Sequence, residues 1–220
     1  MGTLTKYDLS QVACNVFIET GTGSGSTLEH ACQTGPFEKL YSVEIHKESA
    51  DKVQAKFAHL PQVKIYNTTS SEALRDIFQK LQASDKAFFF LDAHFPGEHG
   101  MDFSGYDNLA LNKVTLPLED ELEMIRDARP HSDDIIVIDD LRLYEQGPFE
   151  RGNLPMGFGG IPAEMRNTDF VYRLFGDRKV VKDFRDEGYL IILPAGVDFE
   201  LKRLGALQRL KRNLQKRWNG

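Results

Sequence analysis

The sequence predicts an α/β protein: a doubly wound, mostly parallel sheet of seven strands, with helices on both faces and a closing antiparallel hairpin. Three observations carry that prediction. Short apolar runs alternate with segments of helical spacing along most of the 220 residues. Two runs, at 87–91 and 135–138, are apolar without interruption, as in strands covered on both faces. Several of the runs end at an acidic residue.

The elements follow in order. Residues 15–19 form a first strand ending at Glu19, and a glycine-rich turn leads into a helix opening at Ser26. Residues 40–45 form a second strand, followed over 47–60 by Ala50, Val53, Phe57 and Leu60 at helical spacing. A third strand covers 63–66, and Leu74, Ile77, Phe78 and Leu81 mark a helix over 71–81. The fourth strand, 87–92, ends at Asp92. A helix over 116–128 carries Glu119, Asp120, Glu121 and Glu123; such an acidic face is ordinarily solvated, so Glu121 is not counted as a site residue. The fifth strand ends at Asp139 and Asp140. Runs at 179–184 and 189–193 pair as a hairpin turning at Asp186-Glu187-Gly188. Segments 96–114 and 147–162 have glycine and proline but no period, and are expected to be lid-like loops. One domain spans 1–200, and 201–220 is expected to form a basic amphipathic helix that packs on the body or on a second copy in a homo-oligomer.

Composition narrows the function. A hydrophobic fraction of 41% and a charged fraction of 27% fit a soluble globular domain. Lys and Arg total 27 against 33 Asp and Glu, a net charge of −6, which argues against a nucleic-acid partner. No run approaches the ~20 apolar residues of a membrane span, and residues 1–11 lack the pattern of a secretory signal. Cys14 and Cys32 have neither disulfide-framework nor zinc spacing and are expected to be packed thiols of a cytoplasmic protein.

In a parallel sheet, ligands bind at the carboxyl edge of the strands. Glu19, Glu44, Asp92, Asp139 and Asp140 all belong to that edge. The first turn reads Glu19-Thr20-Gly21-Thr22-Gly23-Ser24-Gly25. A dinucleotide fingerprint would place its third glycine where Ser26 stands, and no G-K-S/T follows. The pattern E-x-G-x-G-x-G, with Glu44, Asn67-Thr68-Thr69-Ser70 and Asp92 after the next strands, resembles the class I S-adenosylmethionine (SAM)-dependent methyltransferases, a Rossmann-like family. The resemblance covers about residues 15–193. It implies that Gly21, Gly23 and Gly25, flanked by Glu19, Thr20 and Ser26, pass beneath the amino-acid part of SAM. It implies further that Glu44 takes the ribose hydroxyls, and that Thr69, Ser70 and Asp92 border the rest of the cofactor. An acid-lined edge also suits a sulfonium and an ammonium better than a pyrophosphate. NAD remains the competing ligand, because its ribose calls for an acid in the same place.

The ends of the fourth and fifth strands bring Asp92, Asp139 and Asp140 together, and three carboxylates converging would repel without a cation between them. Hard oxygen ligands suit Mg²⁺, Mn²⁺ or Ca²⁺. These motifs resemble the metal-dependent sugar and natural-product O-methyltransferases. They also resemble bacterial methyltransferase-like proteins with I-E-T-G-T, L-D-A-H, P-L-x-x-E-L-E and I-D-D-x-R-L motifs, here starting at Ile18, Leu91, Pro117 and Ile138. The resemblance implies O-methylation of a sugar, glycan or other small hydroxylated acceptor, with the metal on the three aspartates. His94 would act beside Asp92 as the catalytic base. Plainer roles stay open: His94 bonding a loop, the aspartates capping turns, Arg142 pairing with a carboxylate. Two other functions stay open as well, an NAD- or nucleotide-sugar-binding oxidoreductase and a non-catalytic SAM-binding protein.

Overall fold

A computed structural model describes residues 3–94, 116–155, 158, 161, 163–205 and 208. The strands are β1 (Val16–Thr20), β2 (Lys39–Val43), β3 (Val63–Tyr66), β4 (Ala87–Leu91), β5 (Ile135–Ile138), β6 (Lys179–Asp183) and β7 (Tyr189–Leu193). They form one sheet in the order β3-β2-β1-β4-β5-β7-β6. β1 to β5 are mutually parallel, and β7 runs antiparallel to both β5 and β6. Among the described residues five helices accompany them: α1 (Ser26–Thr34), α2 (Lys47–Phe57), α3 (Ser70–Lys80), α4 (Leu118–Ala128) and α5 (Asp169–Phe175).

The two-residue period of the strands sorts the core into two layers. Val16, Ile18, Phe89 and Ile136 meet Leu74 and Ile77 of α3, Leu122 and Ile125 of α4, and Val171 and Phe175 of α5. Phe17, Phe88, Phe90 and Val137 face the other way, onto Leu28 and Ala31 of α1 and Val53 and Phe57 of α2. The central strands β1, β4, β5 and β7 are buried throughout, while the edge strands β3 and β6 are only half covered. That is why the apolar runs were continuous in the former and diluted in the latter.

β1 lies between β2 and β4, so the chain winds outward to one side through β2 and β3, then returns to the other side through β4. This reversal opens a crevice at the carboxyl ends of β1 and β4, where a ligand can enter. Cys14 and Cys32 are free, and burial pushes both thiols up to about 12, which leaves them unreactive.

Two expectations need adjusting. Residues 201–205 are extended, not helical: Arg203 bridges Tyr7, and Leu204 N–H donates to the Lys6 carbonyl at 2.8 Å. Leu201 and Leu204 are buried at that seam. Apart from Gln208, the rest of the expected tail helix lies outside the described residues. The first part of the expected second lid is packed in place, with Phe149 buried and Glu150 N–H bonded to the Phe184 carbonyl at 3.0 Å. The loop expected at 96–114 lies outside the described residues.

Candidate active site

The glycine loop is fixed by its neighbours on both sides. Gly21 and Thr22 N–H groups donate to the Val43 carbonyl at 2.9 and 3.1 Å, drawing the loop across the end of β2. Gly21 has φ +84°, and a Cβ there would lie 2.3 Å from the Asp92 carbonyl oxygen, so β4 approaches too closely for any side chain. Gly23, at φ +53°, faces open space, and its N–H donates to Glu44 Oε2 at 2.8 Å. The other Glu44 oxygen accepts from His46 N–H at 2.8 Å. Asn67 adds bonds to the carbonyls of Glu44 and Ile45, tying the loop after β3 to the end of β2. Glu44 is thus an oriented carboxylate with lone pairs to spare.

Glu19 has a different environment. It is buried beneath the loop, takes a 2.6 Å bond from the Ser42 hydroxyl, and connects through Ser42 to Thr22. Burial pushes its carboxyl up to about 8; the Ser42 bond opposes the shift and the Glu44 charge adds to it.

A cleft of about 600 Å³, solvent-facing space included, runs from Gly21 and Glu44 past Ile45 to Thr69, Ser70 and Ala93. Thr69 also caps α3, accepting from Glu72 N–H at 3.3 Å. The other loop residues divide. Gly25 sits against Val53 and Phe57 of α2. Ser26 is exposed and bonds Ser24, away from the cleft lining. Thr20 is fully buried and turns toward Glu121.

β4 and β5 pair with Leu91 opposite Ile138, so the residues after them emerge side by side. Asp139 N–H continues the ladder to the Leu91 carbonyl at 3.0 Å. Asp140 then turns the chain in the left-handed region, at φ 50°. His94 Nε2 lies 3.0 Å from Asp140 Oδ2 and 3.5 Å from Asp92 Oδ1. Arg142 Nε is 3.4 Å from Asp140 Oδ1. Burial, then the charges of Asp139 and Asp140, hold the Asp92 carboxyl well above its usual range. Burial and Asp140 do the same for Asp139. Burial would raise Asp140 too, but His94 and Arg142 outweigh it and hold that carboxyl below its ordinary value. The two oxygens of Asp139 and Oδ1 of Asp140 are buried without a well-formed hydrogen bond. Among the described residues, no group of three or more His, Cys, Asp or Glu side chains is arranged to hold a metal ion.

One residue that sequence reasoning set aside belongs here. Glu121 is 1% exposed, deep under the edge on α4. The signal was available: it falls in the buried stripe of Leu118, Leu122 and Ile125, the wrong face for a solvated acid. A second cleft opens beyond it, between the start of α4 and α5, lined by Leu118, Tyr144, Met165 and Phe170, with Glu119 and Asp169 at its polar side. Leu118 and Tyr144 also wall the small space that holds His94 and Glu121.

No protein-family model matches the sequence, and no curated protein matches it. Solved structures do. A Corynebacterium glutamicum protein superimposes with a TM-score of 0.55 at 12% identity, over 90% of this chain and 81% of that one. A Podospora anserina methyltransferase, solved with S-adenosylhomocysteine (SAH), gives 0.52 at 14% identity, over 81% and 71%. The chain has the class I methyltransferase fold. A spermidine synthase from Thermotoga maritima shares it, at a TM-score of 0.50 and 13% identity, over 98% of this chain and 71% of that one. The fold therefore fixes the architecture, and the reaction has to be argued from the site. No helix among the described residues is long and apolar enough to cross a membrane.

Proposed function

We propose that this chain is a SAM-dependent O-methyltransferase acting on a sugar, glycan or other small hydroxylated molecule. The observation that carries the reading is the Glu44 carboxylate, held by Gly23 and His46 N–H groups at the mouth of a cleft that runs on to Thr69 and Ser70. An oriented acid at the end of the second strand suits a ribose diol. The glycine loop beside it leaves room for the rest of the donor, and the acidic surroundings suit its positive charge.

In methyl transfer the acceptor oxygen attacks the donor's methyl carbon, the sulfur keeps the electron pair of the breaking bond, and the hydroxyl proton must leave. His94 is the group to receive that proton, with Asp140 at 3.0 Å to orient the ring and stabilise its charged form. The second cleft, which shares the walls Leu118 and Tyr144 with the small space beside His94, is the acceptor's place in this scheme. The two buried, unbonded oxygens of Asp139, with the neighbouring carboxylates of Asp92 and Asp140, have the donor chemistry for Mg²⁺ or Mn²⁺, which would lower the pKa of the acceptor hydroxyl.

The test is label transfer from methyl-labelled SAM to a panel of sugars and phenolic glycosides. Transfer is expected, with loss in EDTA and recovery on adding Mg²⁺ or Mn²⁺. Full turnover in the chelator contradicts the metal. Binding of SAM with no labelled product, unchanged in His94→Ala, leaves a SAM-binding protein that is not an enzyme.

A further inference from the structure

The acids at this edge are not equivalent. Both Glu44 oxygens are taken by backbone N–H groups, and Glu19 is bonded by Ser42 beneath the loop. Asp92 and Asp140 share His94. Asp139 lines neither of the two clefts nor the small space beside His94. Asp120 lines the donor cleft but is partly exposed, so water screens its charge.

Glu121 differs from all of these. Its side chain is buried, and its Oε1 has no hydrogen-bond partner among the described residues. The hydroxyls of Thr20, at the end of β1, and Ser70, at the start of α3, face its carboxyl. Ser70 lines the donor cleft, and Ala93 lines both that cleft and the space enclosing Glu121 and His94. The carboxyl therefore shares a small space with His94 and adjoins the donor cleft through Ala93 and Ser70. A buried carboxylate with one oxygen left unbonded is costly, and a cation nearby offsets the cost.

We propose that Glu121 is a specificity-determining residue of the donor site, whose negative charge favours the sulfonium of SAM over the neutral thioether of SAH. This rests on the methyltransferase reading above. Methyl transfer removes the positive charge from sulfur, so a carboxylate charged beside the donor cleft loses its partner when product forms, and product is released more readily. The carboxyl is poised for this role: burial pushes it up to about 7, with Ser70 and Thr20 opposing the shift, so a cation draws it into its charged form.

The experiment is calorimetric titration of the wild type and of Glu121→Gln with SAM and with SAH. Glutamine keeps the shape and removes the charge. The inference expects SAM affinity to fall about tenfold or more while SAH affinity stays within about twofold, so that the preference for SAM is lost. Glu121→Leu, which places an apolar side chain beside Leu91, Leu118 and Ile138, should lose the preference in the same way, with folding checked by thermal melting. Equal effects on both ligands, or none, overturn the inference. Failure of both variants to fold overturns it too, because it assigns the carboxyl to the fold instead. A wild type that takes up neither ligand overturns the methyltransferase reading itself, a result distinct from an unchanged preference.

Discussion

At the scale of single residues, the site rests on backbone groups meeting a few carboxylates. Glu44 holds the loop, and in the proposed reading its remaining lone pairs take the ribose. Glu44→Ala leaves the Gly23 and His46 N–H groups without their acceptor, at a stability cost of about 1–3 kcal/mol. The expected outcome is a chain that stays folded in denaturant titration but binds SAM and SAH at least tenfold more weakly, about 1.4 kcal/mol or more. Both ligands should weaken together, because the ribose is common to them. Undiminished affinity for either one removes the ribose assignment. The placement of Gly21, Glu44 and Asp92 at the sheet edge was legible in the sequence because strand ends and glycine turns leave a local signature. Glu121 was not, since an acid among acids on a helix shows its burial only when the stripe of Leu118, Leu122 and Ile125 is given more weight than the charge around it.

Secondary elements account for how the groups of the proposed site meet. The parallel pairing of β4 and β5 delivers His94 and Asp140 from positions 46 residues apart to 3.0 Å. α4 and α5 then bound the second cleft, where Phe170 supplies an apolar wall and packs edge-on against Tyr144 at 6.3 Å between ring centroids. If this cleft receives the acceptor, Phe170→Ala raises the KM for acceptor about tenfold and leaves donor affinity unchanged. Steady-state kinetics set against donor titration check this, and a shift in donor affinity instead would place the cleft elsewhere in the scheme. The elements themselves were largely readable, because buried strands leave continuous apolar runs and amphipathic helices a clear period. The segment at 201–205 misled because Leu201 and Leu204 fit a helical stripe equally well. What decides their conformation is a distant partner, the bridge from Arg203 to Tyr7 at the far end of the chain. Tyr7 in turn bonds Asp186 at 2.7 Å, so the first and last described segments are clasped to the β6–β7 turn.

For the molecule as a whole, the buried acids set a pH dependence. Folded Glu19 and Glu121 hold their protons up to about 8 and about 7, against an ordinary 4.5. Between pH 4.5 and 8 the folded chain therefore keeps protons that the unfolded chain has released, and stability falls as pH rises through that window, by on the order of a few kcal/mol. Asp8, Asp85 and Asp186 are held below their ordinary value and act in the opposite sense, but only at lower pH. Denaturant midpoints should thus peak near pH 5 and decline toward pH 8; a rising profile over that range contradicts the burial of neutral carboxyls. A cationic donor that meets this acidic edge should recover part of the loss.

The most direct measurement is calorimetric titration of the folded wild-type chain with SAH and, in parallel, with NAD. The glycine loop, the seated Glu44 and the acid-rich edge, which disfavours a pyrophosphate, predict one SAH bound per chain and no uptake of NAD. Binding of NAD with no uptake of SAH would contradict the account at its root.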